Sequence, residues 1–351
     1  MRLILTKNIE DNMKLAKPVY YNGRIMLNTG IENLHKYKTK LLASGIYHIY
    51  VEDEYSFDIN INEAIKESTR REGEKIILKT FNKVKQGSMD INVEEVDHIV
   101  EDIISDFINQ EDILHNLVSL KNTSDYTFEH SLNVGVLCVV FGKFLGYSQR
   151  ELYNIGMGGI LHDIGKMLVP EEILNKPSGL SDYEYEVIKN HPELGFQYLQ
   201  QVEVISPISR IVVRAHHERV DGSGYPRGLK GDQIHEFAKI AAIADVFDAL
   251  TSERIYRSRW ATHKATEYIL SKTDSFFDYE LVRKLLPKIA AYPNGIEVIL
   301  SNGAKGIVKS QNKDFPTRPI IRIFEDASGE KLNFDLDLMK HMNIVIENVI
   351  V

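Results

Sequence analysis

Apolar positions follow three regimes along the chain. In the first they form short runs separated by turn residues: Arg2-Leu3-Ile4-Leu5, Pro18-Val19-Tyr20-Tyr21, then Asn22-Gly23 and Arg24-Ile25-Met26-Leu27. An Asn-Gly pair between two such runs predicts a hairpin, because both residues tolerate the backbone a tight turn requires. A helix is predicted from Ile31 to Ser44, stopped by Gly45, with a strand from Tyr47 to Val51. Between Asn62 and Lys85 charges of alternating sign at helical spacing mark a connecting helix with a solvated face.

The second regime has helical period. Val96, Ile99, Val100, Ile103, Ile104, Phe107 and Ile108 form an i, i+3, i+4 stripe behind Asn92 and Glu95, which are spaced as a capping box. From Thr127 to about Ile289 helical patterns follow one another, broken at Pro170, at Pro177-Ser178-Gly179 and across residues 222–231, with no strand alternation. After Pro293 strands are predicted at Ile296–Leu300, Gly306–Val308, Pro319–Phe324 and Asn343–Ile346, with a turn at Ser301-Asn302-Gly303. The predicted class is mainly α, with a small mixed N-terminal module (residues 1–60), connecting and core-entry helices (61–120), a helical domain (121–290) and a short β-rich C-terminal extension (291–351).

With 351 residues, 43% of them hydrophobic, the chain can bury a sizeable core. No apolar run approaches the roughly 18 residues of a membrane helix, and the start turns polar at Thr6-Lys7, too soon for a secretory signal. Cys138 is the only cysteine, within the apolar run Val136–Phe141, so no disulfide can form within the chain and a reducing cytoplasm is expected. A net charge of −8 argues against binding to DNA or RNA duplexes, which calls for a basic surface. A phosphate-bearing substrate would need a local cationic site instead.

Candidate chemistry centres on Leu161-His162-Asp163-Ile164-Gly165-Lys166, which offers metal ligands, a turn and a cation together. His130 precedes it; His191, the doublet His216-His217 and Asp245 follow. Any one of these histidines has an ordinary reading as a hydrogen-bonded core residue. As a set they are seven side chains suited to first-row divalent metals. Two metals about 3.5 to 4 Å apart would activate a water and neutralise phosphoryl charge, which is what phosphodiester hydrolysis requires.

This order, with His217-Glu218-Arg219-Val220-Asp221-Gly222-Ser223-Gly224-Tyr225-Pro226 behind it, resembles the HD-GYP family of metal-dependent cyclic-dinucleotide phosphodiesterases over roughly the C-terminal two-thirds of the chain. The resemblance implies an HD-type helical bundle and two divalent ions, iron or manganese. One would be held by His130, His162, Asp163 and Asp245, the other by Asp163, His191, His216 and His217, with Asp163 as the bridge. Tyr126 stands where some members carry a glutamate for a third metal, and Glu129 would point elsewhere on a helix, so two metals are expected.

The resemblance further implies that Lys166 reaches a substrate phosphate or the leaving oxygen and that Tyr225 lies by the nucleotide. Arg254 and Arg257, three apart on one helix face, would bind substrate phosphate. Asp248, one turn after Asp245, would orient a ligand or the lysine. Arg219, Asp221, Gly224 and Pro226 would shape a loop credited in the family with contacting GGDEF cyclases. The implied reaction opens cyclic di-GMP to pGpG, with continuation to GMP left open. Hydrolysis of cyclic GMP-AMP and a catalytically silent receptor or adaptor are the alternatives; the complete ligand set counts against the last. A homodimer is compatible with the sequence.

Overall fold

The computed structural model describes residues 1–21, 24–89, 91–108, 126–252, 260–313 and 315–350, with only the backbone of Tyr126 and Thr127. The Asn22-Gly23 turn lies outside the described residues. At the N-terminus the strands β1 (Arg2–Leu5), β2 (Lys14–Leu15), β3 (Val19–Tyr21) and β4 (Arg24–Leu27) precede helix α1 (Lys38–Ala43) and strand β5 (His48–Glu52). β5 lies between β1 and β2 in one antiparallel sheet, while β3 and β4 pair as a separate ribbon. Ile4, Leu15, Leu34, Leu41, Ile49 and Val51 close a small core of their own. The helix expected from Ile31 is shorter, because Asn33 takes a left-handed conformation (φ 55°) and a 3-10 turn at Leu34–Tyr37 must lead into α1. β2 is a two-residue strand the sequence pattern does not show.

Two long helices follow, α2 (Glu67–Lys85) and α3 (Val93–Ile108). α2 carries ion pairs on its outer face, Arg71 with Glu67 at 2.9 Å and Lys79 with Glu95 of α3 at 2.7 Å. Its other face buries Ile76, Ile77, Phe81 and Val84 in the main core. The α3 stripe is buried from Val96 to Phe107, and Ile108 at its end is exposed.

The helical domain continues through α4 (Tyr126–Phe144), α5 (Gln149–Leu161), a 3-10 turn (Ile164–Leu168), α6 (Glu171–Leu174), α7 (Asp182–Lys189), α8 (His191–Gln200), α9 (Pro207–Ala215), α10 (Glu236–Thr251), α11 (Thr262–Ser271) and α12 (Tyr279–Leu285). α4 is apolar along most of its length, with Leu132, Val134 and Val136–Phe141 all buried, so it runs through the middle of the bundle against α5, α2 and α10. Among the described residues no helix is long and apolar enough to cross a membrane.

The C-terminal part is one antiparallel sheet in the order β10-β6-β7-β8-β9, made of β6 (Glu297–Leu300), β7 (Lys305–Ser310), β8 (Ile320–Glu325), β9 (Lys331–Asp337) and β10 (Ile346–Val349). β9 is absent from the sequence expectation: it is an edge strand in which Leu332, Phe334 and Leu336 alternate with polar residues, and it is half exposed. The last strand begins at Ile346, where the sequence pattern had placed its end.

This sheet is clasped to the N-terminal module. The Arg2 guanidinium is buried between Asp53 and Glu297, with a nitrogen 2.6 Å from each carboxylate, and Leu3 N donates to Gly295 O at 2.8 Å. Arg322 of β8 adds a contact to Asp58 at 2.9 Å.

Candidate metal centre

Five imidazoles and two carboxylates converge between α4, α5, α8, α9 and α10, mostly from helix ends. Such ends leave backbone carbonyls without helical partners, and three of the histidines use them. His162 Nδ1 donates to Gly159 O at 2.7 Å, His191 Nδ1 to Ile188 O at 2.8 Å and His216 Nδ1 to Val213 O at 2.8 Å. In each case the acceptor lies three residues earlier, in the last turn of α5, α7 or α9. A carbonyl only accepts, so Nδ1 carries the proton and Nε2 is left with its lone pair facing inward. His130 is held differently: its Nδ1 is 2.7 Å from Asp248 Oδ2 and its Nε2 3.1 Å from Asp245 Oδ1, and although burial works against it, these two carboxylates raise the imidazole above its usual range.

Two groups result, each with its ligand atoms within 4.8 Å of one another: Asp163, His191, His216 and His217, and His130, His162 and Asp245. Asp163 stands between them. Its Oδ1 is 3.3 Å from His191 Nε2 and 4.0 Å from His216 Nε2, while its Oδ2 is 3.3 Å from His162 Nε2 and 3.9 Å from His130 Nε2. Lys166 Nζ lies 2.6 Å from Asp163 Oδ2 and is turned onto the carboxylate.

At His216, His217 and the two carboxylates the electrostatics match the chemical forms that metals bind. Burial holds His216 far below the usual imidazole range, helped by the neighbouring His217 and His162. Burial likewise pushes His217 down to about 3. For Asp163 burial works the other way, but the neighbouring His162 and the Lys166 ammonium prevail and hold the carboxyl well below its usual range. Asp245 also stays ionised, with burial outweighed by its hydrogen bond to His130. Neutral imidazoles beside anionic carboxylates are the ligand forms.

Among the described residues, His162 Nε2 and Asp163 Oδ1 are buried polar atoms without a hydrogen-bond partner. A cation on each side of Asp163 would satisfy both. The donor set fits two divalent ions, and nitrogen-rich ligation suits iron, manganese or a similar ion better than magnesium.

Close backbone packing sets the spacing. A Cβ added at Gly165 would lie 1.9 Å from His191 O and 2.5 Å from Gly195 N, so only glycine lets the turn after Asp163 press against α8. Gly165→Ala is expected to cost about 1 to 3 kcal/mol of stability and to lower metal content, read by thermal melting and metal analysis. Asp248→Ala, which frees the His130 ring, is expected to weaken metal binding about 10- to 100-fold in a direct metal titration.

The Gly-Tyr-Pro loop leans on the second group. Tyr225 N donates to His217 O at 3.1 Å, and the two rings are 4.7 Å apart. Asp221 Oδ1 accepts from Ser223 N at 2.8 Å, and the Tyr225–Pro226 peptide is cis. Gly224 passes so close to the preceding chain that a Cβ would meet Arg219 N at 2.3 Å. The Arg219 guanidinium lies 3.7 Å over the Phe276 ring.

Glu218, which the sequence reading passed over, organises this loop: its buried carboxylate accepts from Arg227 N at 2.8 Å and Leu229 N at 2.9 Å. An acid directly after the His216-His217 doublet was the available signal. Arg254 and Arg257 lie outside the described residues.

Residues 110–281 match the HD domain family, and residues 297–351 match the KOW domain associated with HD domain. The cyclic di-GMP phosphodiesterase PA4108 of Pseudomonas aeruginosa is 33% identical over 254 residues, 72% of this chain and 61% of that protein. The cyclic di-GMP phosphodiesterase response regulator RpfG of Xanthomonas campestris is 42% identical over 144 residues, 40% of this chain and 38% of that one. A 3'3'-cGAMP-specific phosphodiesterase 1 of Vibrio cholerae is 44% identical over 145 residues, 41% and 33% of the two chains. The chain thus spans between 33% and 61% of the length of these relatives. With the His162-Asp163 pair at the head of the site and the Gly-Tyr-Pro loop beside it, residues 110–281 are an HD domain that carries the HD-GYP motifs.

Proposed function

We propose that the chain is a binuclear metal-dependent phosphodiesterase that opens cyclic di-GMP to linear pGpG. The observation that carries this reading is Asp163, whose two oxygens face two separate groups of ligand atoms. His130, His162 and Asp245 would hold one ion, His191, His216 and His217 the other, with Asp163 shared. Two divalent ions held there supply Lewis-acid contacts to phosphate and an activated water at neutral pH. The chain's own part is to fix the imidazoles through backbone carbonyls and Asp248, to bring Lys166 to the same carboxylate, and to set Tyr225 against His217. Lys166 is placed to meet phosphate charge once Asp163 is engaged by cations.

Cyclic GMP-AMP is a second reading, favoured by the relative of 44% identity that is named for that substrate. The test is anaerobic incubation of the protein, loaded separately with Fe(II) and Mn(II), with both cyclic dinucleotides in competition, products being resolved over time. Appearance of pGpG supports the first reading, and preferential loss of cyclic GMP-AMP replaces it with the second. Both nucleotides remaining intact with confirmed metal loading would leave the receptor reading.

A further inference from the structure

α7 adds no buried side chain to any core, yet it is held at both ends. Ser181 and Glu184 close a capping box at its start, and Lys176 Nζ donates to both Glu184 oxygens at 2.8 and 2.7 Å. At its end the Ile188 carbonyl accepts from His191, one of the inward-facing imidazoles. The helix presents aromatic rings: Tyr183 is 74% exposed and Tyr185 52%.

Tyr185 and Lys189 are four residues apart and share one helix face. Lys189 Nζ is 5.7 Å from the centre of the Tyr185 ring and 5.4 Å from the centre of the Tyr225 ring, within reach of both π faces. Tyr225 in turn stands 4.7 Å from His217 and 6.5 Å from His191. One continuous surface therefore leads from the imidazoles across Tyr225 and the Lys189 ammonium to an exposed ring.

A cyclic dinucleotide carries two flat bases on a ring closed by two phosphates. With one phosphate at the imidazoles, a base is left to find a partner away from the centre, and an exposed aromatic face accepts any purine by stacking. We propose that Tyr185 is a nucleobase-binding residue, extending the surface begun by Tyr225, with Lys189 positioning the two rings. This rests on the cyclic-dinucleotide reading above.

The test measures binding and turnover separately on the full metal-loaded chain. Binding of a non-hydrolysable phosphorothioate analogue of cyclic di-GMP is followed by calorimetry for the wild type, Tyr185→Ala and Tyr185→Phe. Turnover of bis(p-nitrophenyl) phosphate, which has no nucleobase, reports the state of the metal centre. Tyr185→Ala is expected to bind the analogue about tenfold more weakly, with Tyr185→Phe close to the wild type and all three equal on the simple diester. Equal binding by Tyr185→Ala and the wild type overturns the inference, as does a wild type that binds no analogue. A wild type that binds the analogue but leaves cyclic di-GMP intact overturns the phosphodiesterase reading alone, and the binding comparison still decides Tyr185.

Discussion

Asp163→Ala is expected to lower cyclic-dinucleotide hydrolysis by roughly a thousandfold or more and to cut the bound metal, with the helical fold retained. The carboxylate is buried, and it is the group that faces both sets of ligand atoms. In the proposed centre its loss would take away the anion shared by the two cations and leave them to repel. Asp163→Asn separates charge from volume: the amide fills the same space but cannot serve two cations as an anion. Steady-state turnover, metal content and circular dichroism on the wild type and both variants decide the matter. Metal-dependent activity near the wild-type level in either variant would remove Asp163 from the proposed role.

The second large effect concerns stability. Stripping the protein with a chelator is expected to lower its melting temperature by on the order of 10 °C, and re-adding Mn(II) to restore it. A ligand at a thousand times its Kd stabilises the native state by about 4 kcal/mol, and each kcal/mol moves the midpoint of a chain above about 150 residues by roughly 2 to 4 °C. The physical source is on view in the structure: His162 Nε2 and Asp163 Oδ1 are buried without hydrogen bonds, and His191 Nε2 lies only 3.3 Å from His216 Nε2. Differential scanning calorimetry at fixed pH, with metal content measured in parallel, checks it. An unchanged midpoint after verified metal loss would contradict a site assembled in this way.

His130, His162-Asp163, His191, His216-His217 and Asp245 were legible as a set in one order, with the His217–Pro226 segment behind the doublet, and the fold brings all seven side chains together. The α3 stripe was legible for a different reason, since one apolar face of a helix repeats with a fixed period. What stayed hidden depends on backbone geometry. The three bonds from Nδ1 to a carbonyl three residues back have no sequence signature, because the acceptors Gly159, Ile188 and Val213 share no side-chain chemistry. The left-handed Asn33 that delays α1 is a conformation which many asparagines do not adopt. β9 carried a signal that was passed over: Lys331-Leu332-Asn333-Phe334-Asp335-Leu336-Asp337 alternates polar and apolar residues strictly, the pattern of a strand with one face toward solvent.

The clasp between the chain's first strand and its last sheet bears on how the molecule comes apart. Asp53 and Glu297 share one guanidinium, and burial already raises the Glu297 carboxyl above its usual range. Removing one member of such a buried set typically costs about 3 to 5 kcal/mol, since the charges left behind keep their desolvation without their partner. Residues 1–60 and the C-terminal sheet should therefore unfold as one cooperative unit, with matched hydrogen-exchange protection in β1 and β6 although nearly 300 residues separate them. A truncation designed to isolate the helices should accordingly remove both ends or neither.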